Sequence, residues 1–248
     1  YADAKVSVSK VTSGRFTKRA FEGLLTSLTS AISGLTWQPK GTEWGDYYND
    51  TNYTDSAFQA KMTLVEQYIQ AVAPKNVWDL GANMGHFSRA ASNKGIPTVA
   101  FDIDPAAVEK NYRQGVAQKD TSLLPLLLDL TNPTPALGWH HAERMSLAQR
   151  GPADLVMALA LIHHLAIGNN TPLSSIANFF ADCGRHLIVE FVPKSDSQVQ
   201  RLLSSRKDIF DTYTQENFEA TFQTYFSIEQ KFAVADSHRT LYLMKIKR

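Results

Sequence analysis

Three carboxylates at the ends of apolar runs, two adjacent histidines and one glycine-bearing turn are the groups in this chain whose types and spacing could do chemistry. The turn is Asp79-Leu80-Gly81-Ala82-Asn83-Met84-Gly85, within the stretch NVWDLGANMGHFSRAAS at 76–92. Gly81 and Gly85 can take positive φ at little cost, and Asn83 is one of the few other residues that tolerates it. A backbone of this kind can come close to a ligand. A phosphate loop needs Gly-Lys-Ser/Thr closing the turn, and no lysine is present. A dinucleotide fingerprint begun at Gly81 needs glycine where Asn83 and His86 stand. An acidic residue just before the turn, here Asp79, suits a ligand that carries a cationic amino group and lacks phosphate. The alternative is an ordinary corner between a strand and a helix.

The other groups fall at matching places. Asp102 follows Asp79 by 23 residues, about the distance at which an acidic residue meets a ribose diol in a βαβ unit. It could instead cap the next helix, but Asp104 before Pro105 does that better. Asp129 closes the third apolar run, as a ligand acceptor or as a turn former before Asn132-Pro133. His163-His164 follow the fourth run, and Glu190 ends the fifth. A histidine titrates in the range a general base needs. The expectation is that His163 or His164 serves as base, with Glu190 as its orienter or as an alternative base; the other reading is a buried histidine tying down backbone groups. Adjacent histidines diverge on any regular element and do not easily chelate one ion. No recognised metal-ligand spacing occurs, so no metal site is expected.

The elements that must hold these groups alternate. Apolar runs at 77–80, 97–102, 123–130, 154–161 and 187–192 read as strands. Between them lie helical stretches: one from Asp104-Pro105 to about Lys119, a short one near 143–150, and one starting at Thr171-Pro172. After the fifth run, Ser195 and Gln198 form a capping-box pair, and a further helix starts after Thr214 with Phe218 and Phe222. Alternating runs at 226–235 and 240–247 make a terminal hairpin. Upstream, Phe16, Phe21, Leu24, Leu25, Leu28 and Ile32 lie on one helical stripe ending at Gly34. A second helix starts at Thr54 or Asp55, buries Phe58, Met62, Val65, Ile69 and Val72, and stops at Ala73-Pro74. A mostly parallel sheet with helices on both faces and an antiparallel end follows. Ligands of such a sheet sit beyond the carboxyl ends of its strands.

The pattern Asp79-x-Gly81-x-Asn83-x-Gly85, an Asp-x-Gly-x-Gly-x-Gly motif with asparagine for one glycine, resembles the first motif of the class I S-adenosylmethionine (SAM) dependent methyltransferases. The order of elements over roughly residues 60–248 is similar to that family's seven-stranded Rossmann-like fold. The resemblance implies a SAM site in which Asp102 holds the ribose hydroxyls, Ile103 lies beside the adenine, and Asp129, with Leu130 next to it, meets the adenine amino group. The run Ala158–Leu165, ALALIHHL, resembles the stretch where small-molecule methyltransferases pass from the sulfonium to the acceptor. The implied activity is methyl transfer to an oxygen or carbon of a small acceptor, free or tethered to a carrier protein. A catalytically silent SAM-fold module within a larger protein is the alternative. The run Asn-Pro-Pro-Tyr, which in the family marks methylation of exocyclic nitrogens, is absent after the fourth strand.

Residues 1–59 read as a helical cap on a domain of residues 60–248. Within the cap, the aromatic stretch Trp44–Tyr53 is either a lid, with Tyr47, Tyr48 and Tyr53 over cofactor and acceptor, or packing between helices and sheet. Lys61 could reach a SAM carboxylate but reads more simply as a surface lysine. The net charge of +1 gives no global field for nucleic acid or membrane. No apolar run approaches the ~20 residues of a membrane span. The single cysteine, Cys183, fits a reducing, cytoplasmic setting and is not expected to be a nucleophile. A first residue of tyrosine is what a trimmed chain or a piece of a longer polypeptide would show.

Overall fold

The computed structural model describes residues 16–39, 42 and 54–247. The chain forms two compact units, Tyr1–Gln38 and Pro39–Arg248. In the first, α1 (Lys18–Ser33) carries the apolar stripe expected from the sequence. The Thr17 hydroxyl accepts from the Ala20 N–H at its start, and Gly34 caps its end.

The second unit is built on seven strands: β1 (Val77–Leu80), β2 (Thr98–Asp102), β3 (Leu123–Leu127), β4 (Ala153–Ala158), β5 (Gly184–Phe191), β6 (Phe226–Ala233) and β7 (Thr240–Ile246). Their order is β3-β2-β1-β4-β5-β7-β6, with β7 antiparallel to both neighbours and the rest parallel. The helices are α2 (Asp55–Val72), α3 (Arg89–Ser92), α4 (Pro105–Gln118), α5 (Leu147–Arg150), α6 (Leu173–Cys183), α7 (Ser197–Leu203) and α8 (Gln215–Phe222). The chain runs outward from β1 to β3, then returns to place β4 on the other side of β1. The crevice for a ligand therefore opens beyond the carboxyl ends of β1 and β4, where the strand order reverses.

Consecutive strand residues enter two cores on opposite faces of the sheet. Leu155 and Met157 join Val65, Tyr68 and Leu243 on one face. Val156 and Ala158 join Phe180, Phe218 and Tyr242 on the other. Burial on both faces is why the middle of β4, Leu155–Ala158, and of β5, Leu187–Val189, read as unbroken apolar runs.

Several expectations shift. The third strand stops at Leu127, and Leu128-Asp129-Leu130 leave the ladder after the Leu128 N–H bonds the Asp102 carbonyl. The fourth stops at Ala158, because Ala160 has φ of 50° and cannot continue a strand. The Ser195/Gln198 capping box does not form. Asp196 is the cap of α7 and accepts from the Gln198 N–H at 2.9 Å, since its carboxylate competes better for that donor and also holds Arg239. Lys61 is not on the surface: it is 1% exposed. Helix α2 belongs to the sheet unit from Asp55 on, so a boundary at 59/60 would cut its first turns. Tyr47, Tyr48 and Tyr53 lie outside the described residues, as does Trp44.

Candidate active site

The turn after β1 has the backbone its composition demands. Gly81, Asn83 and Gly85 have φ of 75°, 49° and 74°. A Cβ on Gly85 would sit 2.4 Å from the buried Asn111 amide. One on Gly81 would meet Leu161 at 3.0 Å. The turn leads into a short helix, α3, whose Ala90 and Ala91 pack inward with Phe87.

Asp102, at the tip of β2, binds this turn directly. Its Oδ2 accepts from the Asn83 N–H at 2.7 Å, and its Oδ1 from the Asp104 N–H at 2.8 Å. Burial holds its carboxyl above the usual range, and the two backbone donors counter that rise. Asp104 caps α4 through the N–H groups of Ala106 and Ala107, so Asp102 is not needed as the helix cap. Asp79, at the end of β1, accepts from the Ser88 hydroxyl at 2.6 Å. Burial pushes its carboxyl up to about 7; the Ser88 bond pulls down, the Asp102 charge pushes up, and Lys61 pulls down.

These groups share one cavity of about 330 Å³. Asp79, Gly81 and Asn83 line it, with Asp102 and Ile103 from β2, Asp129 and Leu130 from beyond β3, and Leu159–Leu161 and His164 from beyond β4. Phe58, Phe87, Leu128, Leu165 and Leu202 supply apolar walls. Gly85 is not on the wall; its place is the base of the turn, where its carbonyl accepts from the Arg89 guanidinium at 2.9 Å. Asp129 is tied to Thr131 through the backbone N–H and the hydroxyl.

The two histidines separate in role. His164 lines the cavity and opens a π-helical turn, His164–Gly168. Burial drops its imidazole to about 4, with Arg239 adding to the fall. His163 is 1% exposed, lies off the cavity wall and has no hydrogen-bond partner at Nδ1. The rings are 4.2 Å apart. Burial and the neighbouring His164 hold His163 well below the usual range. Both imidazoles are neutral at pH 7. The guanidinium of Arg206 donates to the carbonyls of Ile167 and Gly168 and so braces the π turn from the segment after α7.

Glu190 is fully buried and is not on the cavity wall. Its Oε2 accepts from the Lys61 ammonium at 2.6 Å and from the Ala160 N–H at 2.7 Å. Its Oε1 lies 3.9 Å from Arg239, whose guanidinium is paired with Asp196 at 2.8 Å. A chain of alternating charge, Lys61–Glu190–Arg239–Asp196, thus runs under the β4 and β5 ends, and each member pays down the burial cost of the next. Lys61 also stands over the Phe87 ring at 4.6 Å and lines the cavity. Sequence reasoning missed Arg239, which follows the hairpin turn without any motif, and Ser88, nine residues beyond Asp79. Among the described residues, no group of three histidine, cysteine, aspartate or glutamate side chains could hold a metal ion.

No family model matches the chain. It is similar to the nodulation protein NoeA of Rhizobium meliloti (strain 1021), with 36% identity over 243 residues, 97% of this chain. The chain spans about half, 51%, of that relative's length. Among solved structures it is similar to magnesium protoporphyrin IX methyltransferase from Synechocystis PCC 6803, solved with S-adenosylhomocysteine (SAH) bound. The TM-score is 0.55 at 17% identity, covering 82% of this chain and 93% of that one. It is also similar to the 16S rRNA methylase ArmA, with a TM-score of 0.53 at 14% identity over 92% of this chain and 98% of that one. The fold is that of the class I SAM-dependent methyltransferases. In this methyltransferase fold the strand-order reversal, the glycine turn and the acidic tips of β1 and β2 coincide in the cavity described above. The cavity lining offers a carboxylate with two oxygens at Asp102, an apolar residue at Ile103, and a turn whose glycines leave room for a ligand.

Proposed function

We propose that this chain transfers the methyl group of SAM to a small acceptor, at a hydroxyl oxygen or an activated carbon. One observation carries the reading: Asp79, the Gly81–Asn83 turn, Asp102 and His164 line a single cavity at the reversal of strand order. SAM, when bound, supplies an electrophilic methyl on a sulfonium. Asp102 accepts from the ribose hydroxyls, Ile103 and Leu130 cover the adenine, and Asp129 receives its amino group. Asp79 faces the cationic amino group across the glycine turn. His164, neutral and on the wall, takes the acceptor's proton as the new bond forms. The apolar walls from Phe87, Leu161, Leu165 and Leu202 keep water out and align the two reactants. Glu190 serves neither as base nor as orienter of an imidazole here; it positions Lys61 and the Ala160 turn. In this reading the protein works in the cytoplasm. Delivery of the acceptor on a carrier protein is compatible with the same site.

The test has two stages. Calorimetry with SAM, SAH and NAD should give binding to the first two and none to NAD. Incubation with methyl-labelled SAM and an extract from the source should then place label on a low-molecular-weight product. Binding of SAM without any label transfer would favour the silent-module alternative, and preference for NAD would end both.

A further inference from the structure

Four residues of the cavity wall, His164, Leu165, Gly168 and Asn169, belong to the π turn or to its cap. Such turns are rare and recur at functional sites. The Asn169 N–H reaches back to the His164 carbonyl at 3.0 Å, and the Thr171 N–H to that of Leu165 at 3.0 Å. The last carbonyls of a helical turn point past the N–H groups that could meet them. Here Arg206 meets them. One guanidinium nitrogen donates to the Ile167 carbonyl and, at 3.1 Å, to the Asn170 side-chain oxygen; the other donates to the Gly168 carbonyl at 3.2 Å. Its charge also suits the negative end of the turn. We propose that Arg206 is a positioning residue for methyl transfer: acting through the π turn, it sets His164 and the acceptor side of the cavity and leaves the cofactor side alone. The inference rests on the methyl-transfer reading above.

The two sides of the cavity are held by separate bonds. Asp79 is held by Ser88, Asp102 by the Asn83 and Asp104 N–H groups, and Asp129 by Thr131. None of these bonds involves the π turn. Losing the guanidinium therefore loosens one wall and spares the acidic strand tips.

Arg206 is itself presented from a segment fixed at both ends. Before it, α7 is anchored by Val199 in the core and supplies Leu202 to the cavity wall. After it, the Lys194 ammonium donates to both oxygens of Asp208 at 2.8 Å, which ties the segment to the chain just beyond β5. Arg206 thus staples α7 to the π turn, and both carry wall residues. A lysine would replace this poorly. Its ammonium is a compact point charge, whereas the acceptors here are spread over a planar fork. The expected consequence is on rate, because a small misplacement of a positioned group costs up to about a hundredfold.

The test uses the whole chain with SAM, SAH and methyl-labelled SAM in an extract from the source. Arg206→Ala should leave SAM and SAH affinity unchanged by calorimetry. Amide exchange over residues 164–170 should quicken by about tenfold or more as local opening becomes easier, and label transfer should slow by about tenfold to a hundredfold. Millimolar guanidinium, far below denaturing concentrations, should restore both, and urea at the same concentration should restore neither. Arg206→Lys should fall between wild type and Arg206→Ala. Asp208→Asn, which only loosens the segment that presents the guanidinium, should shift exchange and transfer the same way by less, and it serves if Arg206→Ala does not fold. Unchanged exchange over 164–170, a transfer defect matched by an equal loss of SAM affinity, or no recovery with guanidinium overturns the assignment and leaves the methyl-transfer reading intact. A wild type that binds SAM and transfers no label removes that reading and this inference together.

Discussion

The Asp102 carboxylate accepts a hydrogen bond from the Asn83 N–H at 2.7 Å, which makes the tip of β2 and the glycine turn after β1 one unit. The same oxygens are the acceptors available to a ribose. Asp102→Ala should therefore both loosen the turn and remove the diol's partner. Hydrogen bonds to a charged group contribute about 1.5–3 kcal/mol, so SAM affinity should fall by roughly ten- to a hundredfold. Calorimetry on the folded variant checks this, and unchanged affinity would sink the ribose assignment.

Asp79 predicts a pH dependence of binding. Its carboxyl sits at about 7, so it is ionised above that pH and neutral below. A cationic amino group prefers the ionised form, so SAM affinity should rise with pH up to about 7 and level beyond it. Asp79→Asn should flatten the profile. Stability has its own sign. An acid raised on folding is penalised increasingly as pH climbs from its ordinary value near 4 to about 7. Asp79→Asn should therefore gain in Tm relative to wild type across that window. Parallel melting curves at pH 4 and pH 8 that show no such divergence would contradict the assignment.

His164, at about 4, should leave no limb near 6.5 in the pH dependence of kcat; activity should decline only as pH approaches 4. His164→Gln is expected to lower kcat by about 10²–10⁴-fold, the usual worth of a positioned base, with SAM affinity kept. His163→Gln should act on stability instead, because that ring lies beneath the wall. Full turnover by the His164 variant would remove the base from the mechanism.

Gly85→Ala tests the turn. A residue with a Cβ at φ of 74° costs about 1–2 kcal/mol in backbone strain, and the new atom would press on Asn111. A lowered Tm together with weakened SAM binding is the expected pair of results. A variant with wild-type melting and binding would show that the turn tolerates a different backbone.

Breaking the buried pair should be costly in one way and mild in another. Lys61→Met leaves Glu190 buried beside Ala160 without its closest cation, at a cost of about 3–5 kcal/mol. Adding Glu190→Gln should recover part of that loss in denaturant unfolding. If the double variant were no more stable than the single one, the pair would not be the source of the cost.

Much of this was legible in the residues. The apolar runs, the Asp104-Pro105 and Thr214 helix starts, the positive φ at Gly81, Asn83 and Gly85, and the terminal hairpin are local: each follows from periodicity, capping or the steric cost of a Cβ. Asp104 could be told from Asp102 as the helix cap, because a cap must stand immediately before the first helical residue, here Pro105. The strand ends were less legible, since Leu128, Leu130 and Leu159–Leu161 are apolar whether they extend a ladder or line a cavity.

What the sequence by itself determined is the order of elements and the acids at their tips, because side-chain period and turn chemistry act between near neighbours. Only the tertiary structure decided which histidine faces the cavity, that Glu190 holds a lysine 129 residues away, and that Arg239 joins them. Those pairings depend on desolvation and on distances between strands that meet only in the folded sheet. A lysine's charge reads the same in the sequence whether water or a buried carboxylate surrounds it.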